Sequence, residues 1–125
     1  MEKLPKISES EQIVMKSIWA ENPVTANRIV EVLSETTTWK PKTIKTLLNR
    51  LVNKGAVGYE KSGREYQYYP LIDEAVFVKA ESRSFLRRVF GGSMKPMLAT
   101  MVENEDLSSE DIQELKRILE DTKED

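Results

Sequence analysis

The chain contains neither cysteine nor histidine. Without cysteine there is no disulfide, no thiolate metal site and no cysteine nucleophile. Without histidine the commonest general base and metal ligand is missing as well. No apolar run approaches the roughly 20 residues of a membrane span, and the opening Met-Glu-Lys-Leu-Pro-Lys has no signal-peptide core. Nor is there a paired-carboxylate pattern or a phosphate loop. These absences predict a cytoplasmic protein with no membrane partner, no metal and no cofactor. They also predict no catalytic residues, so the chain reads as something other than an enzyme. Its 125 residues suffice for one domain, or for two very small ones.

The net charge of −2 hides a strong asymmetry. Residues 1–39 carry 4 basic and 6 acidic side chains, whereas residues 40–64 carry 7 basic and 1 acidic. Residues 65–102 are nearly balanced at 5 and 4, and residues 103–125 carry 3 basic against 10 acidic. A basic patch inside an acidic chain is the electrostatic footprint of a nucleic-acid contact.

The basic segment begins with Pro41-Lys42-Thr43-Ile44-Lys45-Thr46-Leu47-Leu48-Asn49-Arg50-Leu51-Val52-Asn53-Lys54-Gly55. Ile44, Leu47, Leu48 and Leu51 recur at i, i+3, i+4 and i+7, the spacing of one buried helical face. Pro41 suits the first turn, where its missing N–H is no loss, and Gly55 suits a left-handed C-terminal cap. With Ile44 set at zero on a helical wheel, Asn49, Lys42, Asn53 and Thr46 fall between about 140 and 200 degrees. Lys45 and Arg50 flank them near 100 and 240 degrees. The face opposite the core therefore carries cations, amides and a hydroxyl, and the helix has no carboxylate. Lys and Arg pair with phosphates, and Arg, Asn and Lys also read base edges in the major groove. The pattern predicts a DNA recognition helix.

Taken in order, the chain supplies the surroundings such a helix needs. Residues 1–7 read as a loose lead-in. Ser8-Glu9-Ser10-Glu11 matches a capping box, and Val14, Met15, Ile18 and Trp19 then form an apolar stripe over about 9–20. Asn22-Pro23 ends that helix. Thr25 caps a second one with Ala26, Ile29, Val30 and Leu33 inward, and Trp39 anchors the start of the basic helix. After Gly55 the period changes from 3.6 to 2. Val57 and Tyr59, then Tyr66 and Tyr68, predict a hairpin around a Ser-Gly turn, with Lys61 and Arg64 at the tip and Pro70 as its stop. Helical spacing returns over 73–90 through Val78, Phe85, Leu86, Val89 and Phe90. A short helix with Met94, Met97, Leu98, Met101 and Val102 follows. A last helix is capped near Leu107-Ser108, apolar through Ile112, Leu115, Ile118 and Leu119, and ends in a charged, frayed tail. The expected fold is mostly α with a small β-hairpin wing. Residues 1–72 form a winged helix-turn-helix domain and residues 73–125 a helical dimerisation region. The last fifty or so residues hold more apolar side chains than three short helices hide, which points to a second copy of the chain.

These residues resemble the penicillinase-repressor (BlaI/MecI) family. The resemblance runs through Ile7-Ser8, Val14-Met15, Ile18-Trp19 and Thr25-Ala26-Asn27, and above all Trp39-Lys40-Pro41-Lys42-Thr43-Ile44-Lys45-Thr46-Leu47. Arg50-Leu51, Lys54-Gly55, Tyr68-Tyr69, Phe85-Leu86, Gly91-Gly92, Val102-Glu103 and Glu105-Asp106-Leu107-Ser108 continue it. It implies a dimeric winged-helix repressor with a helical tail, whose DNA-contacting positions fall on Lys42, Lys45, Thr46 and Arg50. It also implies an inactivating protease or sensor as a partner. Relatives that answer β-lactams are cut at an Asn-Phe dipeptide, and Thr100-Met101 stands at the collinear position. Copper-responsive relatives carry a C-terminal cysteine motif that this chain lacks.

The resulting expectation is a sequence-specific repressor, a homodimer on a palindromic operator in double-stranded DNA, controlling genes of the β-lactam-resistance type. The alternatives are a repressor of the same fold that controls other genes without proteolytic induction, and a winged-helix protein-interaction module. Lys42, Lys45 and Arg50 are expected on phosphates and in part of the base readout, Thr46 and Asn49 on base edges, and Lys61 and Arg64 on backbone from the wing.

Overall fold

A computed structural model describes residues 4–104 and 106–123. The start of the expected lead-in (1–3), Glu105 and the end of the expected frayed tail (124–125) lie outside the described residues. The elements are α1 (Glu9–Ala20), α2 (Ala26–Thr36), α3 (Pro41–Asn53), β1 (Val57–Ser62), β2 (Glu65–Pro70), α4 (Glu74–Phe90), α5 (Met94–Glu103) and α6 (Ser109–Lys123). Among the described residues no helix is long and apolar enough to cross a membrane. The chain divides into two compact units, Met1–Val78 and Lys79–Asp125.

In the first unit three helices close over one core. Ser8 and Glu11 make the reciprocal capping box at the start of α1. Val14, Met15 and Ile18 of α1 meet Ile29 and Leu33 of α2, and Ile44, Leu47, Leu48 and Leu51 of α3. Burying side chains of this size contributes about 1.5–3 kcal/mol each. Thr25 caps α2 by accepting from the Arg28 amide. Pro41 occupies the first turn of α3, and Lys40 stands at its N-cap without a side-chain bond. Gly55 closes the far end with φ +80, a left-handed conformation that costs an L side chain energy.

The wing is a two-stranded antiparallel hairpin in which Ser62 pairs with Glu65. Its turn is therefore Gly63-Arg64, with φ +65 at Gly63, instead of the expected Ser-Gly. The hairpin is tied down at its base. Val24, in the α1–α2 connection, exchanges both backbone hydrogen bonds with Tyr68 at 2.9 and 2.7 Å, and Leu71 donates to Ala56 at 2.9 Å. On one side of the strands, the Tyr69 ring fills the space a side chain at Gly58 would take.

Three details were not expected from the sequence. The lead-in is fastened at its end: Ile7 is buried in the core, and the Lys6 carbonyl accepts from Lys54 Nζ at 2.8 Å. Trp19 is half-buried, its indole N–H donating to the Ile72 carbonyl at 2.9 Å and its ring 5.4 Å from that of Phe77. Phe77 is itself buried, and the first unit extends to Val78, beyond residue 72.

The second unit holds the rest of α4 with α5 and α6. Gly91 and Gly92 both take positive φ, and the Gly92 amide reaches the Leu86 carbonyl at 3.1 Å, closing α4. Ser108 and Asp111 cap α6 reciprocally. From Lys79 onward no described residue is buried. Phe85, Val89, Met94, Val102 and Leu119 are exposed.

Candidate nucleic-acid interface

The four buried apolar residues of α3 fix which way the helix faces. Lys42, Thr43, Lys45, Thr46, Asn49, Arg50 and Asn53 are consequently all exposed. Lys42, Thr43, Thr46, Leu47 and Arg50 line one shallow depression of about 250 Å³. Asn49 lines a different one, about 370 Å³, shared with Val52 and Asn53 of α3 and with Tyr59, Tyr66 and Tyr68 of the wing. Lys45 is exposed on the same helix and lines neither.

The wing residues divide likewise. Lys61 pairs with Tyr66 across the hairpin and Tyr59 with Tyr68, so these four side chains share one face. Arg64, in the turn, lines a separate hollow of about 170 Å³ with Thr25, Ala26, Asn27, Glu65, Tyr66 and Tyr68. Thr100 and Met101 lie inside α5. Thr100 is exposed, with its hydroxyl donating to the Pro96 carbonyl at 2.8 Å, and Met101 is half-buried.

Charge on this face is left uncompensated. Among the described residues the ion pairs are Arg28 with Glu21 and Glu31, Lys54 with Glu11, and Arg117 with Glu114. Lys40, Lys42, Lys45, Arg50, Lys61 and Arg64 have no carboxylate partner there. Lys54 is the exception in the basic segment. It caps α3 and turns inward to Glu11 at 2.5 Å, so it holds the fold together and does not join the exposed face. Burial by itself would raise the Glu11 carboxyl, but hydrogen bonds from Lys54 and Ser8 outweigh that and hold it below its ordinary value.

Thr46 is more constrained than its exposure suggests. Its hydroxyl donates to the Lys42 carbonyl at 2.9 Å, so its one proton is committed within the helix. What it offers outward is an acceptor and a methyl group. Such a side chain suits an amino group on a base edge or a thymine methyl.

Sequence reasoning placed Lys61 and Arg64 of the wing on this surface but missed Asn53 and the wing's tyrosines. Asn53 stood on the same arc as Asn49, one helical turn on, and the alternation of Tyr66 and Tyr68 was visible. Placing Tyr59 beside them required the strand register. Burial raises the Tyr68 phenol above its ordinary value, with Tyr66 and Tyr59 adding to the shift, so at neutral pH it remains a hydrogen-bond donor.

Three helices, a hairpin docked on them and a cationic, carboxylate-free third helix define a winged helix-turn-helix DNA-binding protein. The chain belongs to the penicillinase-repressor family, whose model, described as "Penicillinase repressor", matches residues 7–121. It is 45% identical over 123 residues to a penicillinase repressor of Bacillus licheniformis, covering 98% of this chain and 96% of that one. It is 38% identical over 114 residues to the methicillin resistance regulatory protein MecI of Staphylococcus aureus, covering 91% and 93%. Among solved structures it is similar to monomeric B. licheniformis BlaI in complex with the blaP half-operator. That likeness has 48% identity and a TM-score of 0.53, covering 60% of this chain and 92% of that one. The family is one of repressors, not of enzymes.

Proposed function

We propose that this repressor acts in the cytoplasm as a homodimer on a palindromic operator, excluding RNA polymerase from the promoter. The observation that carries the DNA-binding reading is the set of six exposed cations on α3, its N-cap and the wing that have no carboxylate partner among the described residues. A phosphate backbone supplies the missing charge. Lys42, Lys45 and Arg50 take phosphates and part of the base readout, Thr46 and Asn49 meet base edges, and Lys61 and Arg64 touch backbone. The solved relative in complex with a half-operator supports operator DNA as the ligand.

The homodimer rests on the second unit, which buries no described side chain by itself. A two-fold pair would present two recognition helices to half-sites one or two helical turns apart. Names of the relatives, which concern penicillinase and methicillin resistance, support target genes of the β-lactam-resistance type. Thr100-Met101 favours a second reading, the same repressor on other genes without proteolytic induction. An inactivating protease would meet that pair in place of Asn-Phe, and both residues lie within α5, which must open locally before it is cut.

The test is a footprint of the purified protein on genomic fragments, including DNA upstream of its own gene, at two salt concentrations. A protected palindrome that survives the higher salt is the expected result. Diffuse protection that vanishes with salt would reduce α3 to a phosphate grip and overturn sequence-specific repression.

A further inference from the structure

The corner between α3 and the wing is built differently from the cationic face beside it. Tyr59, Tyr66 and Tyr68 form one wall, with ring centroids 5.3 Å apart for Tyr59–Tyr66 and 6.1 Å for Tyr59–Tyr68. Asn49 and Asn53, one helical turn apart, form the other. Among the described residues no carboxylate and no cation lines the depression. The hydroxyls of the three tyrosines and the two carboxamides have no hydrogen-bond partner among the described residues. Tyr59 is 49% exposed and Tyr66 46%, a large aromatic surface for a small hairpin to leave in water. Five neutral polar groups and three aromatic rings therefore line one corner.

We propose that this corner is a neutral clamp for one sugar-phosphate strand of the DNA duplex, with phenol and amide donors on phosphate oxygens and the rings packed on deoxyribose. The proposal rests on the DNA-binding reading above and deepens it. A helix seated in the major groove has a backbone strand on each side. A hairpin standing beside that helix leaves the bounding strand the space between them, which is this corner. The cations of α3 and Lys61 of the wing lie around it and attract the strand, while the clamp itself adds hydrogen bonds without adding charge. Tyr hydroxyls and Asn amides are ordinary phosphate donors. Because no cation is involved, the clamp's share of the affinity involves no counterion release and is insensitive to salt.

The test uses the full-length protein and a duplex selected by it from a random DNA pool, with affinity measured from low to high salt. Tyr59→Phe and Tyr66→Phe keep the rings and lose only the hydroxyls. Each is expected to weaken binding roughly tenfold, the loss of one hydrogen bond to a charged group, with the salt slope unchanged. Ethylating single phosphates of the selected duplex should block the parent protein at one phosphate beside the contacted major groove. The same modification should matter less to the Phe variants. Phe variants that bind within twofold of the parent, or whose salt slope becomes shallower, would overturn the clamp and leave the repressor reading standing. A parent protein that selects no duplex would overturn the repressor reading and the clamp with it.

Discussion

Lys54 and Glu11 make the sharpest case for reading single residues by their partners. Glu11 is almost fully buried, and its carboxylate depends on one ammonium 2.5 Å away. Lys54→Met strands that charge, and breaking a buried pair costs about 3–5 kcal/mol. With Lys54 itself 37% exposed, water relieves part of this, and a loss of about 2 kcal/mol is expected in urea unfolding. The pH dependence follows from the depressed carboxyl. Its stabilisation is fully present above the ordinary value of 4.5 and is lost as pH falls through the lower folded value. Glu11→Gln should therefore flatten the decline in stability below about pH 4.5 relative to the parent, and an unchanged decline would remove Glu11 as its source. Arg50→Ala is expected to weaken a selected site by about 1–3 kcal/mol, and an equal loss on random DNA would show that it grips only phosphate. Lys61→Ala should instead shallow the salt dependence by about one unit.

At the level of elements, α3 is the part the sequence states most completely. Its apolar period, Pro41 and Gly55 all agree, and the helix runs Pro41–Asn53 as they require. Gly55→Ala tests the cap. A methyl group there would meet nothing within 4 Å, so the whole effect is conformational, about 1 kcal/mol of destabilisation, with Asn in its place costing less. Elsewhere the local pattern misled where distant partners decided. Glu11 reads only as part of a capping box, and its burial depends on Lys54, far along the chain. Phe77 stands off the stripe formed by Val78, Phe85 and Val89, because it belongs to the first unit's core while Val78 is exposed. The wing was legible as a hairpin, but Ser62 and Gly63 differ in role by one position of register, which only the pairing with Glu65 decides. The same register assembled the tyrosine wall, so that part of the surface lay beyond sequence reasoning.

Across the whole molecule the two units are stabilised in different ways. The first has a closed apolar core, and the second exposes apolar side chains on α4, α5 and α6 with none fully buried among the described residues. In the proposed homodimer those side chains face a second copy. Val89→Glu, at an exposed position of α4, should then shift sedimentation equilibrium toward monomer while leaving the first unit folded. Unchanged self-association would take Val89 out of the interface.

In the proposed homodimer, a tail with no fully buried side chain among its described residues would also link folding to gene dosage. When copies are scarce, mass action would dissolve the proposed pair, and the tail would lose the partner proposed to cover it. Occupancy of a two-fold site would then rise with roughly the square of repressor concentration. Small changes in synthesis or degradation would thus give a threshold in gene expression, without any effector binding to the protein.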